Sequence, residues 1–277
     1  MKREAQYAHK VKQLHTRLKK TGGPVEAWEG EEPMELLLWS ILSTYASESR
    51  ATAATGKLQA AMADYNELRV TSIAEIVEII GTDYPMCRPA AEEISRVLQA
   101  IFNRLHHLDL GFLKTGARRT AESFLNNLDG LGAHAKAMMV LRCLEGHAIP
   151  LDVNMLAFLQ KNGCLPRDLP IEQGQKFLAS VIKERDAVSF YTYLKRHAAA
   201  HAPRKPAIAR LVAPVQPTRT EPPATDEAAK GIARAKAVES LKGKAAEASK
   251  AKATSERKTV KSKVAAGGKG AASTKSR

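Results

Sequence analysis

One short turn between two apolar-periodic runs constrains this chain more than any other feature. The stretch Leu125-Asn-Asn-Leu128-Asp129-Gly130-Leu131-Gly132-Ala-His134-Ala-Lys136-Ala-Met-Met-Val140-Leu141 is followed, after a short gap, by Ile149-Pro150-Leu151-Asp152. Gly130 and Gly132 permit positive φ and bare backbone N–H groups. The helix expected after them opens with a partial positive charge that favours an anion. The pattern reads as a helix, a tight glycine hairpin, a second helix and a loop that presents one carboxylate. Such a hairpin suits a phosphate better than a base edge.

The rest of the sequence continues in helical periods. Residues 2–20 are basic and amphipathic, with Tyr7, Val11, Leu14 and Leu18 on one face. Thr21-Gly22-Gly23-Pro24 stops that run. Residues 32–44 are apolar enough for a buried helix, and 47–62 continue as a second. Ser72 is placed to cap a helix over 73–80, and Gly81 to end it. Residues 89–107 carry Ile94, Val97, Leu98 and Ile101 on one face. Residues 120–127 and 135–145 flank the glycine turn, and further helices are expected over 154–162, 171–183 and 187–201. No stretch alternates with period 2, so the expected class is all-α, built from many short helices and short loops.

Charge divides the chain. The net charge is +14, but residues 204–277 hold 18 basic and 6 acidic residues, whereas those before hold 25 and 23. The segment 203–223 is rich in proline, and no aromatic residue occurs from Arg204 onward. A segment of this composition buries too little apolar area to offset its chain entropy. Residues 204–277 are therefore expected to be a disordered basic tail, with transient helix over 225–252, that binds polyanions nonspecifically. Cys87, Cys143 and Cys164 are odd in number and widely spaced, which points to a reducing compartment rather than a disulfide framework. No apolar run approaches about 18 residues, so no membrane span is expected. The N-terminus lacks the apolar segment of a secretory signal.

Three pieces of the sequence together resemble the helix-hairpin-helix (HhH-GPD) DNA glycosylases, most of all their endonuclease III branch. They are LLLWSILSTYASESRATAATGKL (36–58), Leu125-x-x-Leu128-x-Gly130-x-Gly132, and Ile149-Pro-Leu-Asp152-Val-Asn154. The resemblance spans about residues 33–197. It implies a two-lobed helical domain over 1–203, with a lobe of 33–146 inserted in one made by 1–32 and 147–203. It implies that Gly130, Gly132 and the backbone around them (Leu128, Leu131, Ala133, with Lys136 nearby) hold a DNA phosphate. It also implies that Asp152 supports base excision on a nucleotide flipped from the duplex.

The departures from the family pattern narrow the expectation. The family's Schiff-base lysine stands two residues after the second hairpin glycine; here that position is His134, expected as an exposed or phosphate-contacting histidine. Imidazole forms no stable iminium. Lys136 lies about 200° further round a helix and does not substitute. The position of the glutamine that fills the gap left by a flipped base is Tyr45, which would either wedge by stacking or lie buried. Glu48 stands where the same loop carries an aspartate. No cysteine follows Cys164, so the family's four-cysteine iron–sulfur cluster is expected to be absent, and no metal site is expected. The i, i+4 pair His197 and His201 lacks a third ligand.

Two functions lead, ahead of a chromatin-compacting protein in which the tail dominates. One is a monofunctional glycosylase that hydrolyses an N-glycosidic bond of damaged or mismatched bases through Asp152. The other is a DNA-binding protein that kept the scaffold and lost catalysis. For Asp152 the plainer role is the N-cap of the helix after it. In either case the expected partner is double-stranded DNA, the expected state a monomer, and the expected place the cytoplasm or nucleoid.

Overall fold

The structure, a computed structural model, describes residues 2–25 and 32–200 (of Lys2 the backbone alone). The chain divides into two units, 1–218 and 219–277, and all described residues belong to the first. The expected basic tail, the helix over 225–252 and His201 lie outside the described residues.

Among the described residues, twelve α-helices follow one another: α1 (Lys2–Thr21), α2 (Pro33–Tyr45), α3 (Glu48–Ala61), α4 (Tyr65–Val70), α5 (Ile73–Ile80), α6 (Cys87–Leu105), α7 (Phe112–Thr115), α8 (Arg118–Asn126), α9 (Ala133–Arg142), α10 (Val153–Lys161), α11 (Ile171–Val181) and α12 (Ala187–Ala200). No strand occurs among the described residues.

Local chemistry explains most boundaries. Glu32 accepts from the Glu35 amide at 2.9 Å and Pro33 opens α2, where its missing N–H costs nothing. Ser72 Oγ accepts from the Glu75 amide at 3.2 Å, and Gly81, at φ 106°, ends α5 as expected. The composition of 63–70 gave no expectation of a helix, yet α4 forms there. Its start is held twice: Asp64 accepts from the Glu67 amide at 2.7 Å, and Glu67 accepts from the Ala63 amide at 2.6 Å. This is a close relative of the capping box. α9 begins two residues earlier than expected because Gly132, with extended backbone at ψ 157°, serves as its N-cap.

Two apolar cores result. The first gathers α2 to α9 around Leu37, Ile41, Leu42, Ile94, Val97 and Leu98. The second gathers α1, α10, α11 and α12 around Val11, Leu14, Met155, Leu159, Phe190 and Leu194. α9 contributes to both, with Ala135 and Met139 in the first and Met138 and Leu141 in the second. Trp39 also touches both. α2 is apolar nearly all round and packs against α3, α6 and α9, as a central helix must.

Candidate functional site

Asp152 lies where the two cores meet, at the start of α10. Its side chain is 2% exposed. Oδ1 accepts from the Met155 amide at 2.7 Å, so the residue is the N-cap of α10. Oδ2 accepts from Lys195 Nζ of α12 at 2.5 Å, and Lys195 also donates to the Ser43 carbonyl of α2. Lys195 is itself 3% exposed. The ion pair therefore ties α10, α12 and α2 together across the junction. No reading of the sequence singled out Lys195.

His134, the second residue of α9, is buried beside this pair rather than exposed or set against solvent phosphate, which corrects the expectation. Thr44 Oγ1 lies 3.0 Å from His134 Nδ1. The Thr44 hydroxyl itself donates to the Ser40 carbonyl at 3.1 Å, so it accepts from Nδ1 and fixes the tautomer with the proton there. Burial, together with the Lys195 ammonium, pushes His134 down to about 3 against the pull of Asp152, so the ring is neutral near pH 7. The Tyr191 ring stands 6.1 Å away, centroid to centroid. Glu48 completes the neighbourhood. Burial raises its carboxyl, opposed by the charges of Lys195, Arg196 and Arg142, and its Oε1 is buried with no hydrogen-bond partner.

The glycine turn takes positive φ at Gly130 as expected, but Gly132 departs from expectation twice, with φ −68° and with its amide bonded inside the protein. Gly130 takes φ 83° and packs against the Arg96 stem, which a Cβ would approach to 2.6 Å. Leu128 and Leu131 are buried in the first core. The Gly132 amide, expected to serve a phosphate, donates at 2.9 Å to Oε1 of Glu93, a buried carboxylate of α6. Glu93 Oε2 accepts from the Tyr45 hydroxyl at 2.7 Å. The half-buried Tyr45 thus turns its phenol inward, and burial beside Glu93 raises its pKa. No side chain caps α9. Helix geometry leaves the amides of Ala133, His134 and Ala135 without intrahelical acceptors, since the first intrahelical bond is Lys136 N to Gly132 O; Ala133 is half-buried and can meet an anion, whereas His134 and Ala135 are buried. Lys136 Nζ donates to the Asn126 carbonyl at 3.3 Å, bridging the end of α8 to α9. Gln175 of α11 holds the Ala133 carbonyl at 3.1 Å.

The cysteines stand apart. Cys87 and Cys143 join the first core and Cys164 the second. Among the described residues no group of three or more His, Cys, Asp or Glu could hold a metal ion. Among them, too, no helix is long and apolar enough to cross a membrane.

The geometry offers a carboxylate held at both oxygens, a neutral imidazole beside it and, on α9, a helix start without a side-chain cap. In sequence the chain matches no family model and no curated protein. In structure it is similar to endonuclease III in a non-covalent DNA complex, with TM-score 0.55 at 14% identity, over 75% of this chain and 92% of that one. A trapped endonuclease III–DNA covalent intermediate gives TM-score 0.54 at the same identity and coverage. A Clostridium acetobutylicum 8-oxoguanine glycosylase/lyase, solved with double-stranded DNA, gives 0.52 at 14% identity over 70% of each chain. The described chain thus has the helix-hairpin-helix fold of the endonuclease III-like DNA glycosylases.

Proposed function

We propose that this protein is a DNA-binding base-excision protein that hydrolyses the N-glycosidic bond of a damaged or mismatched base in double-stranded DNA, acting as a monomer. The observation that carries this reading is the Asp152 carboxylate, fixed by the Met155 amide and Lys195 at the junction of the two cores. The hairpin meets the backbone through the amides that open α9, and the target nucleotide leaves the stack. As the glycosidic bond breaks, its electrons stay with the base. Asp152 stabilises the positive charge that grows on the sugar, and a water oxygen then bonds to C1′ and gives up a proton, which ends on the departing base. The products are a free base and an abasic sugar.

The same geometry argues against an efficient lyase step. His134 is neutral and forms no stable iminium. Lys195 directs its ammonium to Asp152 and to the Ser43 carbonyl.

A second reading, duplex binding without excision, is favoured by one observation: Asp152 is 2% exposed and both of its oxygens already have partners. A panel of duplexes carrying different base lesions decides between them. The full chain is expected to produce strand breaks that appear only after alkali, and Asp152→Asn is expected to produce none while still binding duplex. Breaks without alkali, or borohydride trapping at Lys195, would show a lyase. Binding with no breaks on any lesion would establish the second reading.

A further inference from the structure

Glu93 lies on the apolar face of α6, three residues after Ala90 and four before Val97, both fully buried. It is 6% exposed. The donors bonded to its carboxylate are both neutral, the Tyr45 hydroxyl at 2.7 Å and the Gly132 amide at 2.9 Å; Arg96, on its own helix, is the nearby cation. An ionisable group in that position is costly to bury unless both oxygens are satisfied. Here each oxygen takes one donor, and the two donors come from different places. Tyr45 ends α2 and Gly132 caps α9. The contact also explains the second glycine of the turn. Gly132 has an ordinary φ of −68°, which any residue adopts, but a Cβ there would come within 2.9 Å of Glu93 Oε1.

We propose that Glu93 is a positioning residue that holds Tyr45 and the phosphate-gripping turn in one register. It sets how far the Tyr45 ring, at the end of α2, stands from the backbone amides that open α9. The inference rests on the DNA-binding reading above. The bridge needs two acceptor-or-donor atoms in a planar fork, not a charge. Glutamine preserves the fork: its carbonyl accepts from the Gly132 amide and its NH2 donates to the Tyr45 oxygen.

The experiment uses the full chain at saturating duplex, with 2-aminopurine next to the lesion to report unstacking. Tyr45→Phe and Glu93→Leu are expected to lower the 2-aminopurine enhancement by about fivefold, the worth of one neutral hydrogen bond. Duplex affinity is expected to hold, because the amides of α9 remain. Glu93→Gln is expected to stay near wild type, and the Tyr45→Phe/Glu93→Leu double variant to be no worse than Glu93→Leu. Amide exchange at Gly132 is expected to quicken in Glu93→Leu and not in Tyr45→Phe. A Glu93→Gln enhancement as low as that of Glu93→Leu would overturn the proposal, and so would an unchanged Tyr45→Phe. Because Tyr45→Phe and Glu93→Gln are mild, misfolding of Glu93→Leu would not shelter it. A wild-type chain that binds no duplex would instead sink the DNA-binding reading itself.

Discussion

Glu93 and Asp152 are two buried carboxylates that solve the same problem differently. Each takes one backbone amide at the start of a helix, Gly132 before α9 and Met155 in α10. The second partner sets them apart. Glu93 takes a phenol and Asp152 takes an ammonium. Burial therefore raises the Glu93 carboxyl, with only neutral donors and the Arg96 charge to oppose it. The Glu93 site depends on shape and hydrogen-bond count. The Asp152 site depends on charge balance as well, so a neutral replacement costs more there than at Glu93, although asparagine keeps the cap bond to the Met155 amide.

The largest test of that contrast is Lys195→Met. It leaves Asp152 buried and uncompensated and is expected to destabilise the fold by about 3–5 kcal/mol in urea unfolding. Adding Asp152→Asn removes the stranded charge and is expected to recover most of the loss. If the double variant is no more stable than Lys195→Met, the two residues are not an energetic pair.

His134 supplies the next test. Its native pKa of about 3 lies below the ordinary 6.5. Below 6.5 the unfolded chain takes a proton that the folded chain refuses, so stability from this residue is present at neutral pH and is lost on acidification. The expected slope is about 1.4 kcal/mol per pH unit across that window. The difference in unfolding free energy between wild type and His134→Gln, measured from pH 7 to pH 4, isolates it. A constant difference would mean that the ring takes up its proton over the same pH range in the folded and the unfolded chain.

The smallest expected effect sharpens the Glu93 side. Gly132→Ala is expected to cost about 1–3 kcal/mol through overpacking on Glu93 Oε1. In a Glu93→Ala background the same change is expected to be nearly free. Equal costs in both backgrounds would place the strain elsewhere in the turn.

Much of this architecture was legible in the sequence because the signals were local. Ser72 and Gly81 bracket α5, and Gly130 takes the positive φ that its turn requires. α4 has no apolar period to announce it; its start is carried by Asp64-x-x-Glu67, a polar signal. Of the site residues, Asp152 was visible as a cap, whereas Glu93 and Lys195 were not. Both are charged residues on apolar helix faces: Glu93 between Ala90 and Val97, Lys195 between Tyr191 and Ala198. A charge at such a position is the trace that a buried partner leaves in sequence, but the partner lies 39 residues from Glu93 and 43 from Lys195. His134 was misplaced for the same reason. Its burial is set by α2 and α12, and neither adjoins it in the chain.

The double membership of α9 has a consequence for folding. Its two faces complete two different cores, so neither core closes until this helix has docked against both. The two cores then lack the independence of domains joined by a linker. Heating or urea should melt both in one cooperative transition, and a protein cut down to either core would leave a face of α9 exposed to water.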